Sequence, residues 1–196
     1  MEIVMPIKYI PGMVIPYNGK ESGAFGALRP MIKAADGLTL GQVTAITGLE
    51  SSTIQNWVKR GFVAHPVNKK YHEHQIARIL IISMLRDSLK IEEIGDLLRI
   101  INGSRSAEDG IISEIDLYEC LCEILLAVKP DAGELEQKRL IDSAINRYDV
   151  KNKRTLCGER CIDLKLLYNY LLISRFNVKV NSQKLPCSLF TVILSP

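Results

Sequence analysis

The sequence lacks an apolar segment long enough to cross a bilayer. Its longest apolar stretches, around residues 79–85 and 121–128, are interrupted or bounded by charged side chains. Both are well short of the roughly 20 residues that a membrane helix needs. The first dozen residues also lack the basic segment and apolar block of a secretory leader. We therefore expect a cytoplasmic protein without a membrane span.

Residues in arrangements typical of catalysis or metal binding are also missing. There is no glycine-rich phosphate loop, no HExxH pair and no GxSxG elbow. The five cysteines are an odd number, which fits a reducing compartment, and Cys120 and Cys122 would point to different faces of a helix. Cys157 and Cys161 in CGERC form the pair best suited to redox exchange. The sequence predicts buried thiols, no enzyme activity, no cofactor and no metal site.

A large charge of one sign is absent as well, because the net charge is only +3. An argument for nucleic-acid binding must therefore rest on local clustering. Such a cluster exists in residues 51–71, which hold no acidic residue and four basic ones: Lys59, Arg60, Lys69 and Lys70.

The pattern around this cluster predicts two short helices joined by a tight turn. Leu40, Val43 and Ile46 share one helical face, and Gly48 ends that helix. Ser51 or Ser52 is expected to cap the next helix with its hydroxyl. The buried positions of that second helix would be Ile54, Trp57 and Val58, and Gly61 would end it. This arrangement is a helix-turn-helix.

The remaining pattern divides the chain into three parts. Residues 1–37 form an N-terminal arm with a short helix, and residues 38–104 add to the helix pair a short hairpin or wing and two amphipathic helices. Residues 105–196 form a helical C-terminal domain. A seam spaced four, three, four and three apart predicts a lengthwise helix contact, which we expect to serve a homodimer: Ile111, Ile115, Tyr118, Cys122 and Leu125.

The segments LTLGQVTAITGLESSTIQNWVKRGFV, KKY and LKIEEIGDLL together resemble the winged helix-turn-helix of the MerR family of transcriptional regulators. The resemblance covers residues 38–98, and it is closer still to a MerR-like bacterial family catalogued as a domain of unknown function. It implies an all-α fold with a short wing, in which Ser51–Lys59 is the recognition helix and Lys69, Lys70 and Tyr71 belong to the wing. Gln55 and His72 depart from the family, which commonly has an arginine and a small capping residue there.

The chemistry of these side chains fits DNA contact. Basic side chains neutralise phosphates and release counterions, whereas amides such as Gln55 and Asn56 can bond an adenine edge in two places. Ser51 and Ser52 can serve both as caps and as phosphate contacts, and Trp57 is expected to be a core residue. The predicted DNA-binding residues are Ser51, Ser52, Thr53, Gln55, Asn56, Lys59, Arg60, Lys69, Lys70 and Tyr71.

The sequence thus predicts a sequence-specific regulator that binds double-stranded DNA, with an effector that is not identified. A protein-interaction module on the same scaffold is the main alternative, favoured by Gln55 and the modest charge. A third hypothesis is a small-molecule sensor whose C-terminal helices form an aromatic pocket from Tyr118, Tyr148, Tyr168 and Tyr170.

Overall fold

The computed structural model describes residues 9–16, 23–87, 89–102 and 113–127, together with positions 135, 136, 139 and 143. Within these residues the chain is mostly helical and carries a small two-stranded antiparallel sheet, so the predicted helical class is confirmed. The elements in chain order are α1 (Arg29–Ala34), β1 (Leu38–Thr39), α2 (Leu40–Thr47), α3 (Ser51–Lys59), β2 (Lys70–Tyr71), α4 (Glu73–Leu85), α5 (Ile91–Asn102) and α6 (Glu114–Ala127).

The predicted end of α2 at Thr47 is confirmed, whereas Thr39, predicted as its first residue, caps a helix that begins at Leu40. Thr39 precedes the helix in extended conformation, and its N–H donates to Oε1 of Gln42 at 2.8 Å while its hydroxyl accepts from the Gln42 N–H at 3.4 Å. This reciprocal pair is a capping box. At the other end Gly48 has φ 69°, a left-handed conformation that glycine adopts without strain.

The predicted helix α3 is also observed, with Ile54, Trp57 and Val58 buried as expected. The predicted serine cap is wrong. Glu50 is the residue in extended conformation before the helix, so Ser51 and Ser52 lie inside the first turn, and no side chain caps this end. A hydroxyl caps best from the residue before the first helical one, a place that Glu50 takes.

The connection after α3 contains a two-residue hairpin. Val67 and Lys70 exchange backbone hydrogen bonds of 3.0 and 2.8 Å across Asn68 and Lys69, whose φ angles are 51° and 63°. Two positive φ values in a two-residue loop define a type I′ turn. The hairpin then continues into β2, which pairs with β1 in the register Leu38↔Tyr71 and Thr39↔Lys70. A local hairpin was expected, but its pairing with the segment before α2 was not.

Helix α4 lies at the centre of the core and contacts α2, α5 and α6. It is buried on most of its surface, at Ile76, Ala77, Ile79, Leu80, Ile81, Ile82 and Leu85. A helix that is apolar nearly all round must be covered by neighbours, and its three partners provide that cover.

The seam that was predicted for a homodimer is buried inside the chain. Helix α6 packs along α4, and Ile115, Tyr118, Cys122 and Leu125 are all buried in the described structure. Helix α6 thus makes its lengthwise helix contact with α4 of the same chain. Ile111 and most of residues 105–196 lie outside the described residues, as do Tyr148, Tyr168 and Tyr170. A homodimer through this seam stays a prediction.

Candidate functional site

Helix α3 presents one polar face to solvent. The apolar residues Ile54, Trp57 and Val58 turn toward the core, and Trp57 is only 5% exposed, which confirms its predicted role as a core residue. The opposite face is exposed and consists of Ser51, Ser52, Gln55, Asn56 and Lys59. Their spacing of one, four, five and eight places them on one stripe along the helix. The structure therefore brings together five of the residues predicted to contact DNA.

No hydrogen-bond or ion-pair partner is found for these five side chains within the part of the chain that the structure describes. Some polar side chains elsewhere are engaged: Arg99 pairs with Asp96 at 2.6 Å and Arg78 pairs with Glu114 at 3.2 Å. The stripe on α3 is thus a set of hydroxyl, amide and ammonium groups whose hydrogen-bonding capacity is available to a ligand. Thr53 is half-buried beside it.

Lys69 is at the tip of the hairpin, exposed and without a partner in the described residues. Its positive φ is unusual, since a residue with a Cβ is strained in the left-handed region by about 1 kcal/mol or more. Glycine commonly follows asparagine in such turns. The chain therefore keeps a lysine at a backbone position that glycine would occupy with less strain.

Two predicted wing contacts are used inside the protein instead. The Nζ of Lys70 donates to the backbone carbonyl of Ala35, at the C-terminal end of α1. Tyr71 is only 3% exposed, and burial raises the pKa of its phenol. Tyr71 is therefore a core residue, unavailable to a surface ligand, and Lys70 ties the hairpin to α1.

Arg60 is partly engaged as well. Its guanidinium pairs with Glu92 of α5 and lies 4.9 Å from the centre of the Phe62 ring, a cation–π distance. The pKa of Glu92 is lowered, first by a hydrogen bond from its own backbone amide and then by Arg60. The Arg60 side chain remains 43% exposed, so it can still face a ligand while it holds α3 to α5.

A groove of about 460 Å³ runs beside α3, with walls that include Thr53, Trp57, Arg60, Arg86, Leu89 and Lys90. Arg86 and Lys90 are exposed and flank the connection between α4 and α5. Sequence reasoning missed both cations, because residues 30 positions away give no local signal that they lie beside α3. Arg86 pairs at 4.0 Å with Asp87, which also lines the groove, so Lys90 is the cation that extends the basic surface around the polar stripe.

The connection between α3 and the hairpin is fixed to α4 by two side chains that the sequence analysis also missed. Gln75 Nε2 donates to the carbonyls of His65 at 2.7 Å and Ala64 at 3.1 Å, and its Oε1 accepts from the His72 N–H at 2.8 Å. Arg78 Nε donates to the Phe62 carbonyl at 2.6 Å. The hairpin is thus held at a set position relative to α3.

Metal binding finds no support in the described ranges, where no group of three or more histidine, cysteine, aspartate or glutamate side chains could hold an ion. Cys120 and Cys122 are buried thiols, as expected. Cys157, Cys161 and Cys187 lie outside the described residues. None of the helices that the structure describes is long and apolar enough to cross a membrane.

A scan of family models tests the family resemblance of the sequence. Residues 36–121 match the family described as Domain of unknown function (DUF1836). The expected similarity to a family of unknown function is thereby confirmed, and the matched range contains β1, all helices from α2 to α5 and the first half of α6. Residues 9–16 and 23–35 precede the matched range.

The chain is also similar to the uncharacterized protein YkrK of Bacillus subtilis (strain 168), with 35% identity over 111 residues. The similar region covers 54% of this chain and 48% of YkrK, so the chain spans about half the length of that relative. No solved structure matches the chain.

Proposed function

We propose that the chain is a sequence-specific DNA-binding transcriptional regulator in which α2 and α3 form a helix-turn-helix and the hairpin over residues 67–70 forms a wing. The observation that carries this proposal is the stripe of unpaired hydroxyl, amide and lysine side chains on α3. Exposed polar groups without internal partners fit a surface that bonds to an external polar ligand. A helix with such a face also has the dimensions to enter the major groove.

Each part of the stripe has a role in this proposal. Ser51 and Ser52 lie in the first turn of α3, where backbone N–H groups favour a phosphate. Gln55 and Asn56 carry amides that can donate to and accept from an adenine edge, each pairing being worth about 1–3 kcal/mol of base discrimination. Lys59 ends the helix and provides a positive charge for the backbone.

The hairpin tip and the protein groove beside α3 supply the positive charge that would contact the DNA backbone. Lys69 at the hairpin tip and Lys90 beside α3 would neutralise DNA phosphates on either side of the major groove that α3 enters. The strained backbone at Lys69 supports a function for this side chain, because unfavourable conformations persist where they serve a site.

The test is binding to duplex DNA selected from a random library, measured by fluorescence anisotropy across salt concentrations. Lys69→Ala should lower affinity and reduce the slope of log affinity against log salt by about 1, because one phosphate contact is lost. Gln55→Ala should leave that slope unchanged and relax base preference at one position. Arg99→Ala is the matched control, since that cation is already paired with Asp96 and should not affect the slope.

The protein-interaction module remains the second hypothesis, and one observation favours it. Two of the four clustered cations, Arg60 and Lys70, have partners inside the protein, which reduces the charge available to DNA. The two hypotheses separate at low salt. If no duplex binds in low salt, the regulator proposal fails, and the α3 stripe becomes the surface to test against proteins.

A further inference from the structure

Residues 9–16, which we call the strap, form a short folded segment that crosses α4. Tyr9 and Pro16 form an isolated antiparallel β-bridge. Inside it, the Ile10 N–H donates to the Ile15 carbonyl at 2.9 Å. Ile10 and Met13 are buried in the core. A Cβ built on Gly12 would lie 3.1 Å from both the Leu80 carbonyl oxygen and Cγ of Met84, so the strap backbone lies directly on α4.

The strap holds the end of α2. The last carbonyls of a helix have no partner within it, and the Ile46 carbonyl of α2 accepts from the Val14 N–H at 2.9 Å. A Cβ on Gly48 would approach Cγ1 of Val14 to 2.9 Å. The strap therefore covers the turn that joins α2 to α3.

The same strap is held by α6. The Tyr118 hydroxyl donates to the Pro11 carbonyl at 2.7 Å, and the whole Tyr118 side chain is buried. Next to it, the Glu119 carboxylate accepts from the N–H groups of Ala24 and Phe25 at 2.9 and 2.8 Å. Two adjacent residues of α6 thus fix both the strap and the segment that leads into α1.

We propose that the strap couples α6 to the α2–α3 pair and that Tyr118 is a positioning residue for α3. Tyr118 holds Pro11, and the strap in turn carries Val14 to Ile46. Displacement of α6 therefore releases the turn that sets the direction of α3. The effect on DNA binding rests on the proposed function, whereas the coupling itself can be measured without DNA.

The experiment is amide hydrogen exchange of the full chain by NMR, comparing the wild type with Tyr118→Phe and Glu114→Gln. The phenylalanine keeps the ring and removes only the hydroxyl. Exchange at Val14 should rise about fivefold to tenfold, because one hydrogen bond that holds the strap is lost. Glu114→Gln is the control for a general loosening of α6, since it keeps the size of the side chain and removes a charge that pairs with His74 and Arg78 of α4; Val14 exchange should rise clearly less than in Tyr118→Phe.

An unchanged Val14 rate in Tyr118→Phe would overturn the coupling, and so would an equal rise in both variants. Where the wild type binds DNA, Tyr118→Phe should also weaken binding severalfold with the salt slope unchanged, because no phosphate contact is removed. Wild type that binds no DNA would refute the proposed function while the exchange result still decides the coupling.

Discussion

Asn68 and Lys69 occupy the two central positions of one turn, and both are left-handed, at φ 51° and 63°. Asparagine tolerates this region better than most residues with a side chain, because it can hydrogen-bond locally. Lysine has no such advantage. In this hairpin Asn68 is suited to the left-handed backbone conformation and Lys69 is not, yet Lys69 is the residue that carries the charge.

Replacing Lys69 separates strain from function. Lys69→Gly should raise the free energy of unfolding by about 0.5–1 kcal/mol, because the left-handed strain is relieved at a modest cost in chain entropy. Urea denaturation followed by circular dichroism measures this change. Lys69→Ala keeps the strain, so it should not stabilise the fold. Equal stability of the two variants would show that the backbone at Lys69 stores no strain.

Two glycines at opposite ends of α2 should respond to alanine in opposite ways. Gly41 lies in the helix with nothing within 4 Å of an added Cβ, so Gly41→Ala should stabilise by up to about 1 kcal/mol. Gly48→Ala should destabilise by at least about 1 kcal/mol, since the residue is left-handed and the added methyl meets Val14. Thermal unfolding of both variants checks the pair; a rise in melting temperature for Gly48→Ala would contradict the contact with the strap.

Gln75 should matter through its amide donor. Gln75→Glu keeps an oxygen for the His72 N–H but can no longer donate to the Ala64 and His65 carbonyls, and we expect a loss of about 1–2 kcal/mol from two hydrogen bonds. Amide exchange in residues 61–65 should rise as stability falls. A Gln75→Glu variant as stable as wild type at neutral pH would mean that these two bonds do not hold the connection.

Alkaline pH should weaken the fold through Tyr118. Burial raises the pKa of this phenol well above its usual value of 10.0. Below pH 10 the group is protonated in both states and its contribution is fully present. Above pH 10 the unfolded state loses the proton and the folded state retains it, so stability falls by about 1.4 kcal/mol per pH unit for this group. Denaturation at pH 9 and pH 11 should show a smaller fall in Tyr118→Phe; identical falls would exclude this linkage.

The sequence predicted the parts of the fold that depend on local spacing. The end of α2 and the burial of Ile54, Trp57 and Val58 follow from a helical period read over a few residues. The exposed stripe on α3 follows from the same helical period, because it consists of the residues that do not face the core. The left-handed exit at Gly48 has an equally local cause.

The parts that were missed depend on contacts between distant residues. Gln75 reaches carbonyls 10 and 11 positions away, and Tyr118 reaches Pro11 across 107 positions. No periodicity encodes such pairs. The family resemblance places Lys70 and Tyr71 in a DNA-contacting wing, yet β2 pairs with β1 and Tyr71 is buried in the core.

Phe25 and Tyr118 make a T-shaped contact, with 5.9 Å between their ring centres. This contact matters for the choice of a fragment to express. Phe25 precedes residues 36–121, whereas Tyr118 lies within them. A fragment restricted to residues 36–121 would lack Ile10, Met13, Phe25, Leu28 and Ile32, which are buried in the same hydrophobic core as residues of α4 and α6. Because such a fragment would expose apolar surface that these residues now cover, we expect it to be less stable than a chain that includes residues 9–35 and to self-associate.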